Sequence, residues 1–127
     1  MGDLFILYVS HQPRARDFYA IALNTAPTID TPGMTEFPLP GGGSLGLMPE
    51  SGIHQLLKKG GLPDPSKADG IPRAEIYLRV ADPAAAHARA LSAGARELQK
   101  LTLMDWADEV AYCLDPFGHV LAFARTK

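Results

Sequence analysis

The residues with the clearest chemical potential lie near the end of the chain, where the stretch 115–119 reads D-P-F-G-H. An aspartate and a histidine four positions apart raise the question of a reactive site. The same residues are good turn formers, because proline presets the second turn position and glycine suits the fourth. His119 shares the alternation of Leu121 and Phe123, which predicts the core side of a strand. We therefore interpret the stretch as a structural hairpin with a packed, hydrogen-bonded histidine.

Other reactive residue types are few. Cys113 is the only cysteine, so neither an internal disulfide nor a cysteine-based metal site can form, and no cationic neighbour in sequence lowers its pKa. We predict a buried, inert thiol. The stretch 41–44, three glycines and a serine, lacks the Lys-Ser/Thr of a phosphate-binding loop and is interpreted as a hairpin turn. No motif indicates a Ser-His-Asp triad.

Length and charge limit the function classes. The 127 residues fit one domain with a real core, and the formal charge of −2 argues against nucleic-acid binding. The apolar run 4–9 is too short for a signal peptide, and no stretch approaches the length of a membrane span. With one cysteine, these features predict a cytoplasmic protein.

The first half of the chain predicts one strand, one helix and three more strands. L-F-I-L-Y-V at 4–9 is typical of a buried strand. The helix that follows has Pro13 in its first turn, and Asn24 marks its end. Three short strand candidates come next, at 26–31, 35–39 and 43–48. Pro38 indicates that its strand is bulged or at a sheet edge.

The second half repeats the pattern after a glycine- and proline-rich linker at 51–72, in which we expect one helical turn at 53–57. The stretch 74–80 alternates cleanly, so Glu75, Tyr77 and Arg79 share one face. Asp82 and the proline after it begin a helix on which His87 is predicted to be partly exposed. Three strand candidates follow, at 96–101, 108–115 and 119–124.

The chain therefore contains the order strand, helix and three strands twice. We predict an α+β fold of two βαβββ modules that form a curved mixed sheet around a cleft. A single domain over 1–127 would comprise module one at 1–50, the linker at 51–72 and module two at 73–127. One helix covers only one face of a sheet. The open faces must therefore meet each other or a second chain.

This organisation resembles the vicinal oxygen chelate superfamily, which includes glyoxalase I, extradiol dioxygenases and bleomycin-binding resistance proteins. The resemblance covers essentially the whole chain. Its most specific part is the D-P-F-G-H-V stretch beginning at Asp115, which is similar to the family's D-P-x-G-[HN]-x hairpin. The junctions 9–11 and 80–82 are similar to its V-x-D, and residues 18–19 to its F-Y. The resemblance implies a homodimer, but the fold serves unrelated chemistries.

The resemblance also implies where metal-dependent members hold their ion. The four positions correspond to Leu4, the strand centre 45–47 (L-G-L), Glu75 and Ala122. Only Glu75 carries a donor side chain, whereas a metal needs about three or four. We therefore predict no metal and no cofactor, and the small Ala122 is interpreted as space left in the cleft. His11 or His54 could build a relocated site, although their spacing gives no support.

Without a metal, the cleft would be a pocket lined by mixed side chains. We predict that its ligand-binding residues are Tyr8, Glu75, Tyr77, Arg79 and Trp106, whose aromatic rings could stack on a flat ligand. Each has a structural alternative: the two tyrosines could pack at an interface, Trp106 could anchor its loop on the core, and Glu75 could pair with Arg79.

Three functions follow from these observations. The favoured one is a metal-free small-molecule binding protein of the glyoxalase/bleomycin-resistance type, with an aromatic or antibiotic-like ligand. The second is a metal-dependent lyase, isomerase or dioxygenase, lactoylglutathione lyase-like, with relocated ligands. The third is a metal-free enzyme in which Glu75 acts as general base in an apolar cleft. The sequence leaves open whether any reaction is catalysed.

Overall fold

The computed structural model describes residues 2–127 and contains two four-stranded mixed sheets. In module one the elements are β1 (Leu4–Val9), α1 (Gln12–Ala22), β2 (Ile29–Thr31), β3 (Met34–Pro38) and β4 (Ser44–Pro49). In module two they are β5 (Glu75–Arg79), α3 (Pro83–Ser92), β6 (Arg96–Leu103), β7 (Asp108–Leu114) and β8 (Val120–Thr126).

The two modules have the same topology, which confirms the predicted repeat. The sheet orders are β1-β4-β3-β2 and β5-β8-β7-β6. In each, the first strand lies at an edge and runs parallel to the last one, while the other pairs are antiparallel. The predicted single curved sheet is thus two sheets whose edge strands, β1 and β5, are not paired with each other within the described residues.

The helices begin and end where their capping residues place them. His11 Nδ1 accepts the backbone N–H of Arg14 at 3.2 Å, so a histidine caps α1 where Asp82 caps α3. Asn24 follows α1 with a φ of 52°, a conformation that asparagine tolerates better than most residues. The predicted start and end of α1 and the predicted start of α3 are confirmed.

The linker is more helical than predicted. Instead of one turn, it carries the eight-residue helix α2 (Glu50–Leu57), followed by two short 3₁₀ helices at Lys58–Gly60 and Pro65–Lys67. Ile53 is the buried residue of α2. The prediction that the Pro38 strand is bulged or at a sheet edge was wrong, because β3 lies between β4 and β2 and pairs with both in regular register. Pro38 is tolerated at the end of β3 because it lies beyond Glu36, the last residue that pairs with β2.

A single core joins the modules. Leu7 and Phe18 of module one belong to the same buried cluster as Leu121 and Phe123 of module two. The helices α1 and α3 pack against each other, and each also packs against the sheet of its own module. Each sheet therefore has one face toward this shared core and one face, here called the concave face, that turns away from it.

Candidate functional site

A cavity of about 490 Å³ opens between the edge strands β1 and β5. The linker segment 65–74 and the turn before β8 complete its wall. Apolar side chains form much of the lining, among them Phe5, Ile76 and Phe117, and a few charged groups lie between them. This volume and this mixture are typical of small-molecule sites.

Two of the five predicted ligand-binding residues line the cavity. Tyr8 is on β1 and Glu75 is on β5, so they approach it from opposite modules. Tyr8 is 39% exposed, which leaves much of its ring free. The pKa of Tyr112, on the concave face, is raised mainly by burial and secondly by the charge of Glu75.

The other three predicted residues form a separate cluster on the concave face of the second sheet. The Tyr77 hydroxyl donates to Asp108 Oδ2 at 2.6 Å and accepts from Trp106 Nε1 at 3.0 Å. Arg79 Nη1 lies 3.0 Å from the same Asp108 oxygen, and its guanidinium lies 5.4 Å from the centre of the Tyr77 ring. Asp108 is the residue that sequence reasoning missed.

The contacts of this cluster test two of the structural alternatives, the Glu75–Arg79 pair and the anchoring of the Trp106 loop. Glu75 does not pair with Arg79, because Arg79 pairs with Asp108 instead, so that alternative is wrong. Trp106 does anchor its loop, but on the concave face and not on the core, and it stays 50% exposed. The ligand-binding role of Tyr77, Arg79 and Trp106 stays a prediction.

Replacing Tyr77 with phenylalanine is expected to weaken the acid sensitivity of the fold. The Tyr77 hydrogen bond, followed by the charge of Arg79, holds the pKa of Asp108 below its ordinary 3.8. A lowered folded-state pKa stabilises the protein above the unfolded value, and this stability is lost as pH falls through the folded value. In Tyr77→Phe the Asp108 pKa should rise, and the loss of stability below about pH 4 should become shallower.

A carboxyl-carbon NMR titration, with urea unfolding at several pH values, measures both effects. Tyr112→Phe removes a hydroxyl from the same face without touching Asp108 and serves as the control. An Asp108 pKa that is the same in Tyr77→Phe and in the wild type would contradict this prediction.

The residues at the four implied metal positions do not fit a metal ion. Ala122 is fully buried in an apolar cluster with Val110 and Ala124. A side chain on Gly46 would meet the Ile6 and Leu4 side chains at 3.1 and 3.2 Å. Within residues 2–127, the structure holds no group of three or more His, Cys, Asp or Glu side chains that could bind a metal.

The interpretation of Ala122 as open space was wrong. The cluster around it fills that part of the concave face, with Tyr77, Met104 and Tyr112 packed against the buried residues. The free volume lies instead between the edges of β1 and β5.

The D-P-F-G-H stretch forms the predicted hairpin, and its histidine is hydrogen-bonded as predicted. The prediction that His119 faces the core was wrong, because His119 lines the cavity. Asp115 Oδ1 accepts the backbone N–H groups of Phe117 and His119, both at 2.8 Å. Its Oδ2 accepts the Tyr19 hydroxyl of α1 at 2.5 Å and contacts His119 Nδ1 at 2.8 Å. The turn therefore ties module two to module one through a buried carboxylate.

Two further side-chain predictions have opposite outcomes. Cys113 is buried as predicted, and burial, with the charge of Asp115, raises its thiol pKa to about 12. His87 was predicted to be partly exposed but is buried. It lies on the core side of α3, where its Nε2 contacts Glu97 Oε2 of β6 at 3.0 Å.

Comparison with known proteins gives a family match over most of the chain. The model of the Glyoxalase/Bleomycin resistance protein/Dioxygenase superfamily matches residues 3–123. A comparison with curated proteins gave no match. No helix within residues 2–127 is both long and apolar enough to cross a bilayer.

Similar solved structures share the fold at low identity. A family enzyme from Burkholderia phytofirmans PsJN has a TM-score of 0.82 at 16% identity, covering 98% of each chain. A glyoxalase-related enzyme from Fulvimarina pelagi has a TM-score of 0.78 at 18% identity, covering 99% of this chain and 88% of the other. Protein ATC0852 from Agrobacterium tumefaciens has a TM-score of 0.69 at 25% identity, covering 100% and 98%.

Proposed function

Because the chain belongs to the glyoxalase/bleomycin resistance protein/dioxygenase superfamily, we propose that it binds a small aromatic or antibiotic-like molecule between β1 and β5, without a metal. The single observation that carries this proposal is the cavity of about 490 Å³. Its volume suits a ligand of drug size, and its lining is apolar with a few charged groups that could orient a ligand.

The lining favours an aromatic ligand. The rings of Phe5, Tyr8 and Phe117 border the cavity, and ring pairs gain about 0.5–1.5 kcal/mol beyond the burial of their area. Ile71 and Ile76 add aliphatic surface. Glu75 provides an acceptor for a donor group on the ligand.

The donor set argues for a metal-free function. Glu75 is the one carboxylate at the four positions that the family resemblance implies for a metal, and the surroundings of Ala122 and Gly46 are apolar. A hard divalent cation at these positions would lack the oxygen or nitrogen ligands that it requires. A metal-dependent lyase or dioxygenase with relocated ligands is the alternative, and no cluster of donor side chains in the described range 2–127 favours it.

We expect aromatic ligands to raise the melting temperature of the wild type, and Tyr8→Ala to weaken their binding about tenfold because a stacking surface is lost. A panel of aromatic and antibiotic compounds, tested by thermal shift and then calorimetry, measures this. Tyr8→Phe keeps the ring and should bind as the wild type does. Trp106→Ala tests the concave face separately.

Two results would contradict the proposal. One is the absence of stabilisation by every compound in the panel. The other is unchanged affinity in Tyr8→Ala together with loss of binding in Trp106→Ala, which would move the ligand to the cluster of Tyr77, Arg79 and Trp106.

We also propose that the chain acts as a homodimer in the cytoplasm. The support for a dimer is the partly exposed apolar surface on the concave faces, including Leu4 and Trp106, which a second copy could cover. The single cysteine supports a reducing compartment. A sedimentation-velocity mass equal to one chain would contradict the dimer.

A further inference from the structure

The wall of the cavity contains an aspartate–histidine pair that the proposed function does not use. His119 lines the cavity, and its Nδ1 lies 2.8 Å from Asp115 Oδ2. The Asp115 side chain is fully buried behind the ring, whereas the His119 side chain keeps 23% of its surface exposed. The Nδ1 side of the imidazole is thus held by the protein, while the side chain as a whole stays partly exposed and lines the cavity.

The hydrogen bonds around Asp115 fix the tautomer of His119. Three other donors already point at the Asp115 carboxylate oxygens, so Asp115 acts as the acceptor and the proton between the two side chains belongs to Nδ1. The Tyr19 hydroxyl is the second donor to Oδ2, and burial raises its pKa well above the ordinary range, so it keeps its proton. In the neutral ring Nε2 is then a free acceptor.

The acceptor atom of the His119 ring is free to bind a ligand. Within residues 2–127, His119 Nε2 has no hydrogen-bond partner. The other charged groups that line the cavity are Glu50, Arg73 and Glu75. Two carboxylates and one guanidinium give the cavity no positive excess, so a ligand that arrives as an anion has little electrostatic advantage.

We propose that His119 is the proton-accepting group of the cavity and that its ligands are phenols, an inference that rests on the proposed function. A phenol enters neutral, packs its ring against Phe5 and Phe117, and donates its O–H to Nε2. On ionisation the proton leaves the phenol oxygen and binds Nε2. Asp115 then faces the imidazolium and stabilises it, and the phenolate stays beside it as the counter-ion.

Alternative ligands fit less well. An aliphatic alcohol is too weak an acid to share its proton with an imidazole. A carboxylic acid is ionised before it enters and meets two carboxylates, Glu50 and Glu75, against the single guanidinium of Arg73. The acidity of a phenol lies between these limits, and its ring matches the aromatic lining.

The test uses 4-nitrophenol, which absorbs at different wavelengths as the phenol and as the phenolate, and 4-nitroanisole, which has the same ring but no acidic proton. In mildly acidic solution, where free 4-nitrophenol is mainly the neutral phenol, we expect the wild type to bind 4-nitrophenol about tenfold more tightly than 4-nitroanisole and to produce the phenolate band. His119→Asn can still donate an amide N–H to Asp115 but offers no base. It should bind both compounds equally, without the band.

The results separate the two proposals. If the wild type binds both compounds equally, or if His119→Asn keeps the preference and the band, the role of His119 is overturned and the aromatic site stands. If the wild type binds neither compound nor any other aromatic in the panel, both proposals fall. Should the variant not fold, the Nε2 resonance of His119 in the wild type decides: it moves on binding 4-nitrophenol if the role holds, and stays if it does not.

Discussion

Replacing Asp115 with alanine is expected to lower the free energy of unfolding by about 3 kcal/mol or more. The carboxylate is buried and accepts from the backbone N–H groups of Phe117 and His119, from the Tyr19 hydroxyl and from the His119 ring. Alanine would leave four donors without acceptors, and the Tyr19 hydroxyl is deeply buried, so water cannot replace the partner without opening the core.

Matched variants divide this loss into its parts. Asp115→Asn keeps one oxygen for the turn N–H groups and should cost about 1 kcal/mol, because only the contacts to Tyr19 and His119 must rearrange. Tyr19→Phe removes one donor and should cost less than alanine at position 115. Urea unfolding at pH 7 measures all three. A loss in Asp115→Ala no larger than that in Asp115→Asn would show that the network contributes little.

The second large effect is expected for Ala122→Glu, which introduces a carboxylate at one of the four positions implied for a metal. The site is fully buried among Val110, Ala124, Tyr77 and Tyr112. An unpaired carboxylate there should cost about 3 kcal/mol or more at pH 7. Burial raises the pKa of such a group above its unfolded value, so the loss should shrink as pH falls.

Ala122→Gln is the matched control, since it has nearly the same size and no charge. It should show a loss that does not depend on pH over the same range. Zinc or nickel should not restore Ala122→Glu, because Glu75 would be its only partner at the four implied positions. Recovery of stability with metal would contradict both this prediction and the metal-free function.

The fold could be predicted because its determinants are local. The clean alternation of 74–80 and the capping residues at both helices fix element type and direction without help from distant residues. Only one turn of the linker helix α2 was predicted, because Ser51 and Gly52 are poor helix formers. Its buried Ile53 lends it tertiary support that sequence alone does not reveal.

The site was harder to predict, since it depends on how strands align. The alternation along β5 correctly placed Tyr77 and Arg79 on one face. Their common partner Asp108 lies on β7, which is separated from β5 by β8. Its parity with Val110 and Tyr112 could have placed it on the same face. Ala122 was misjudged because its size was interpreted without its neighbours. The cavity lies in the gap between the edges of the two sheets, and no local sequence pattern predicts that gap.

The hydrogen bond between Tyr19 and Asp115 also constrains the order in which the parts of the protein can fold during synthesis. These residues are 96 positions apart, and domains are made from the N-terminus onward. When module one leaves the ribosome, the surface of α1 that will meet α3 has no partner, and the Tyr19 hydroxyl can bond only to water. The first half is thus an incomplete folding unit. The core closes only after Asp115 has been synthesised, a late and long-range step of the kind that slows folding.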